Sequence, residues 1–132
     1  MVDLTEFESI SPYTDEQASE ALGKLADHPA VAQASRYFFP EESPDFLKNV
    51  LKQIKTIDQF QVLVMQRFVR WVLEHTAKNF SYDGISNIDP NKKFLALSNH
   101  RDIIMDPAIT QLVLHTNGIP MTEIAVGDNL IT

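Results

Sequence analysis

Apolar positions recur three and four residues apart through much of the N-terminal half of this chain, the spacing of one helix face. Phe46, Leu47, Val50, Leu51 and Ile54 keep it, with Lys48, Lys52 and Lys55 lining the other side. A second stretch runs from Ile57 to about Lys78. At about 100° per residue, Gln59, Gln66, Arg67, Arg70 and Glu74 fall on one side. Phe60, Leu63, Val64, Met65, Phe68, Val69, Trp71 and Val72 cover most of the rest. So wide an apolar surface predicts burial in a core, with a membrane-surface or partner-facing role for part of it as the alternative.

Capping and breaking residues divide the pattern. Residues 1–14 read as an irregular arm. Thr14 and Gln17 have capping-box spacing and start a helix over about 15–26. His28-Pro29 breaks it, because the residue before proline leaves the helical basin. Pro29 opens a second helix to about Phe38. A linker over 39–44 comes next. Ser43 then caps a third helix with Pro44 at its first position, and Thr56 with Gln59 marks the start of a fourth.

After Asn79 the style changes. Phe80-Ser81-Tyr82-Asp83-Gly84 reads as a short strand entering a turn, and Asn87 to Asn91 is dense in turn formers. Phe94-Leu95-Ala96-Leu97-Ser98 and Glu123-Ile124-Ala125-Val126 read as buried strands. Asp106-Pro107 offers a cap and a first-turn proline for a helix ending near Asn117-Gly118. Strand, helix, strand predicts a βαβ unit. The expected fold class is therefore α+β or α/β, with a helical region over 1–79 and the first part of a sheet over 80–132.

Composition narrows the function classes. With 132 residues, 44% of them hydrophobic, the chain suits one globular domain and excludes whole-chain disorder. The absence of cysteine removes disulfides, thiolate zinc sites and thiol catalysis. A net charge of −7 is the wrong sign for a nucleic-acid binder. The charge is nonetheless in blocks: residues 1–43 are strongly acidic, 44–79 are basic, and 80–132 are acidic again. Lys48, Lys52, Lys55, Arg67 and Arg70 are therefore candidates for lipid headgroups, CoA phosphates or an acidic carrier protein, against the simpler reading of a solvated helix face. The N-terminus has no secretory pattern, and no window of about 18 residues is continuously apolar. A cytoplasmic protein, soluble or peripheral to a membrane, is expected.

Chemistry concentrates at Ser98-Asn99-His100-Arg101-Asp102-Ile103-Ile104-Met105-Asp106-Pro107. His100 leaves an expected strand and enters a loop before an expected helix, where open α/β sheets place their sites. A carboxylate bonded to one ring nitrogen fixes the tautomer and stabilises the imidazolium. The other nitrogen then takes a proton from a hydroxyl. Asp102 and Asp106 are the two candidates for that carboxylate. The plainer alternative is a capping and ion-pair cluster. A protein-kinase catalytic loop is excluded, because the Asn and Asp-Phe-Gly that should come after His-Arg-Asp are missing. His28, His75 and His115 read as structural or solvent-facing, with no metal-ligand spacing among them. Trp71 reads as core.

The string Leu97 to Pro107 resembles the first signature block of the glycerolipid acyltransferases, which include the glycerol-3-phosphate and 1-acylglycerol-3-phosphate enzymes. That block reads roughly S-N-H-x-S-x-x-D-P. Tyr82-Asp83-Gly84 with Asn87 resembles the strand and turn before it, and Glu123 to Leu130 the strand and loop after it. The resemblance spans about residues 80–132. It implies that His100 deprotonates a glycerol-phosphate or lysolipid hydroxyl, which attacks the thioester of acyl-CoA or acyl carrier protein. It implies no other cofactor and no metal. Asp106 is the implied partner of His100, because Asp-Pro matches the helix start of the family. Asp102 is the alternative, because five residues rather than four separate His100 from Asp106. Asn99 and Arg101 are implied positioning residues.

The later arginine-containing and Glu-Gly blocks of the family are not in these residues. The resemblance therefore implies the N-terminal portion of a longer enzyme, peripheral at the inner face of a membrane, whose strand edges call for protection by a homo-oligomer of this piece, by swapped elements or by burial under its helices. The rival expectation is a helical interaction or regulatory module with a non-catalytic α/β remnant. On the leading reading, these 132 residues alone transfer no acyl group to glycerol-3-phosphate, and measured turnover by them refutes it.

Overall fold

Thr14 starts the first helix as its spacing predicts. Its hydroxyl accepts the Gln17 N–H at 3.3 Å, and the Gln17 side chain accepts the Thr14 N–H at 2.9 Å. The structure, a computed structural model, describes residues 11–99 and 101–125. Their order is α1 (Asp15–Leu25), α2 (Pro29–Phe38), α3 (Phe46–Gln53), α4 (Ile57–Phe60), a π turn (Gln61–Met65), α5 (Gln66–Thr76), a 3₁₀ turn (Ile85–Asn87) and α6 (Met105–Thr116). The described residues fall into two units, divided after Val64.

In the first unit, α3 packs on α1 and α2, and α1 also meets α4. Ala26, Val31, Phe39, Leu47, Leu51, Ile54 and Val64 make the core, so the expected apolar face of α3 is its buried face. Helix ends here are finished by local caps and by other helices. His28 accepts the Ala30 N–H through Nδ1 at 3.2 Å and caps α2 itself. At α3, Ser43 and Pro44 sit in the turn before the helix, and Asp45 makes no side-chain cap. The fully buried Ser35 hydroxyl of α2 instead accepts the Leu47 N–H at 3.3 Å. At α4, Thr56 caps Gln59, and Asp15 of α1 accepts the Ile57 N–H at 2.8 Å. Ser19 of α1 donates to the Ile54 carbonyl at the end of α3.

The single helix expected over 57–78 is interrupted by the π turn. A π turn takes more residues per revolution than an α turn, so it shifts the phase of the helix beyond it. Gln66, which regular spacing puts on the polar side, is buried as a result, and its amide nitrogen has no hydrogen-bond partner among the described residues.

In the second unit, α5 packs on α6. Val69, Leu112, Leu114 and Ile119 are buried, and Trp71 is half-buried. Gly118, at φ 70°, ends α6 in the left-handed conformation that glycine adopts without strain. Its N–H donates to the His115 carbonyl, and the Ile119 N–H donates to that of Leu114, the Schellman pattern. The buried Gln111 side chain then holds Thr122, accepting its N–H at 3.0 Å and donating to its carbonyl at 2.6 Å.

The expected α+β or α/β class is overturned. Among the described residues there is no strand, and the regular structure is helical. Residues 80–83, 94–98 and 123–125 have no regular structure, and Val126 lies outside the described residues. A short apolar run states only that a segment can be buried. A strand also needs a neighbour to take up its N–H and C=O groups. Leu and Ala, which dominate 94–98, carry little strand preference of their own. Leu95 and Leu97 are 83% and 86% exposed.

Two substitutions test this packing by denaturant titration. Ser35→Ala strips the buried Leu47 N–H of its acceptor and is expected to cost about 1–3 kcal/mol. Gln66→Met removes a buried amide nitrogen that has no partner among the described residues and is expected to raise stability by about 1 kcal/mol.

Candidate functional site

Pro107 governs the approach to α6. It has no N–H to offer the Ile103 carbonyl four residues back, so the regular α pattern starts only at Met105. The amides just before that point need acceptors, and the two aspartates supply them. Asp102 Oδ1 accepts the N–H groups of Ile104 at 2.9 Å and Met105 at 2.7 Å. The Asp102 carbonyl accepts the Asp106 N–H at 3.3 Å. Asp102 thus does the work of an N-cap. The sequence pattern gives that role to Asp106, which lies inside the helix instead. The Asp106 carboxylate turns back over the loop, where Oδ2 accepts the N–H groups of Arg101 at 2.5 Å and Asp102 at 3.1 Å. The two carboxylates therefore clasp the loop from both sides.

Of the expected site residues, Arg101, Asp102 and Asp106 are brought together. Arg101 joins through its amide, and its side chain is exposed. Asn99 is exposed in irregular chain. His100 lies outside the described residues, as do residues 1–10 of the expected arm and 126–130 of the expected strand and loop. No group of three or more His, Asp or Glu suited to a metal occurs among the described residues.

The amides of Met105 and Ile104 hold the Asp102 carboxyl below the usual carboxylate range, against the opposing negative charge of Asp106. A carboxyl lowered on folding stabilises the fold fully above its unfolded pKa, about 3.9, and loses that contribution as pH falls through the lower folded value.

The basic block is partly engaged within the chain. Lys48 and Lys52 both reach Asp27 at 2.9 Å, and Lys52 and then Lys48 lower its carboxyl. Arg70 donates to the Thr116 hydroxyl at 3.2 Å. In the second unit an open cleft of about 390 Å³ lies between Leu73, Phe80, Tyr82, Leu112 and Val113, with Arg70, Glu74 and Lys78 at its edge. It draws on two separated stretches, 70–82 and 112–116, so no local motif announces it. His75 donates through Nδ1 to the Trp71 carbonyl and stacks on the Trp71 ring, and His115 is exposed.

The chain matches no family model, no curated protein and no solved structure.

The lowered Asp102 carboxyl makes the start of α6 acid-sensitive. Amide exchange at Ile104 and Met105, corrected for intrinsic rates, is expected to accelerate as pH falls below about 4, while the Schellman amide of Ile119 stays protected.

Proposed function

We propose that residues 97–107 form the general-base half of an acyl-transfer site. The reaction moves a fatty acyl group from acyl-CoA or acyl carrier protein to a glycerol-phosphate or lysolipid hydroxyl. One observation supports this above the rest: the Asp106 carboxylate is folded onto the amides of the two residues just after His100. In this reading the same carboxylate is the one that orients the imidazole of His100.

In the proposed reaction, His100 takes the hydroxyl proton as the acceptor oxygen attacks the thioester carbonyl. The tetrahedral intermediate collapses, the carbon–sulfur bond breaks, and the proton passes from the imidazolium to the departing thiolate. Asp106 fixes the ring and stabilises its charged form. Asn99 and Arg101 position substrate. The setting is the cytoplasmic surface of a membrane, and no helix among the described residues is long and apolar enough to cross one. The second reading, a helical interaction or regulatory module, draws support from the wholly helical regular structure of the described residues.

The two readings separate in an acyl-transfer assay on the protein that carries this segment, with labelled acyl-CoA and either glycerol-3-phosphate or a lysophosphatidate. His100→Ala is expected to lower kcat/KM by about 10²–10⁴, and Asp106→Asn nearly as much. Undiminished transfer by His100→Ala overturns the proposal.

A further inference from the structure

We propose that the cleft at the C-terminal ends of α5 and α6 binds a monocarboxylate with a single apolar tail, the chemistry of a free medium-chain fatty acid. The cleft lies within the second unit, at the other end of α6 from Asp102 and Asp106. Val113 and Thr116 are seven and ten residues past Asp106, about 10–15 Å along the helix. Binding there is independent of acyl transfer.

The walls suit a tail. Leu73 and Ala77 of α5 are one turn apart and share a face. Leu112 and Val113 come from α6. The Phe80 and Tyr82 rings, with centroids 5.9 Å apart, complete the lining. These rings are 45% and 48% exposed, so apolar surface is left open at the cleft. A volume of about 390 Å³ is near the small end for sites that hold organic ligands. It suits one chain rather than a two-chain lipid.

The rim selects the head. Carbonyls at the two helix ends, which otherwise offer acceptors to a cation, are already engaged. That of Leu73 takes the Ala77 N–H at 3.0 Å, that of Leu112 the Thr116 hydroxyl at 2.7 Å, and that of Val113 the Asn117 side chain at 2.8 Å. The rim presents donors instead. Arg70 gives one N–H to the Thr116 hydroxyl at 3.2 Å, and a guanidinium has several more. The Tyr82 hydroxyl accepts from the Asn117 side chain at 2.9 Å, which fixes it and leaves its own proton to donate. Lys78 adds an exposed ammonium. Glu74 opposes them, four residues from each cation, so the three charges sum to one positive. A head with one negative charge and two acceptor oxygens matches both the sum and the donors.

The test titrates this chain with decanoate, 1-decanol and decyltrimethylammonium, each below its micelle-forming concentration, and follows amide and methyl resonances. Decanoate is expected to bind saturably, in the millimolar range or tighter, and to shift Leu73, Phe80, Leu112 and Val113. Arg70→Gln and Lys78→Gln are each expected to weaken decanoate about two- to fivefold, and Glu74→Gln to tighten it by a similar factor. None of the three is expected to alter decanol, which has the tail without the charge. Lys92→Gln, an equal change of net charge outside the cleft, is expected to leave decanoate unchanged. Ala77→Trp fills the cleft and is expected to weaken decanoate at least about tenfold. Should it also disturb the core resonances of Val69 and Ile119, the exposed charge variants decide. No saturable shift at the lining residues overturns the proposal. So does tighter binding of decyltrimethylammonium, which makes the aromatic pair and Glu74 a cation site. An equal response of decanoate and decanol to the charge variants overturns the carboxylate assignment.

Discussion

The first amides and last carbonyls of a helix have no partner within it, and a chain of short helices multiplies such ends. Among the described residues the longest helix has twelve residues and the shortest α-helix four. The first unit is held together, beyond apolar burial, by the partners these loose groups find. The Ser35 hydroxyl of α2 takes an amide of α3, Asp15 of α1 takes one of α4, and Ser19 of α1 reaches the carbonyl that ends α3. Each bond satisfies a helix end and fixes the place of one helix on another. The second unit obeys the same constraint locally, through the paired aspartates before α6 and the Schellman turn after it.

This separates the legible part of the fold from the rest. Thr14, Pro29, Thr56 and Gly118 act within a few residues of themselves, and the helix ends they imply are where the structure has them. The apolar repeat of α3 likewise names the face that is buried. Ser35 carries no such signal, because its partner is twelve residues away. Ser43-Pro44 carries a misleading one, for its cap is replaced from another helix. The strands failed for a related reason. The apolar run 94–98 describes side chains, while a ladder is made by the backbone of a second segment.

At the candidate site the residue types were readable and their division of labour was not. Spacing and the Asp-Pro pair left two aspartates for one role. The missing N–H of Pro107 moves the regular helix start, sends the cap back to Asp102 and turns Asp106 toward the loop. The basic block is a second such case. As a string, Lys48 and Lys52 advertise an anion site. In the fold both converge on Asp27, so an acidic residue from the preceding block answers part of that charge.

The π turn at Gln61–Met65 bears on how this chain tolerates changes in length. Losing one residue from α1 or α3 rotates every later side chain of that helix by about 100° and takes Ala26 or Leu51 off the core. Losing one residue within the π turn has a regular solution already at hand, since the widened turn relaxes to an ordinary α turn with its hydrogen bonds intact. The chain therefore carries one residue of slack between α4 and α5, at a place where a one-residue deletion acts as an adjustment of phase and the helix survives it.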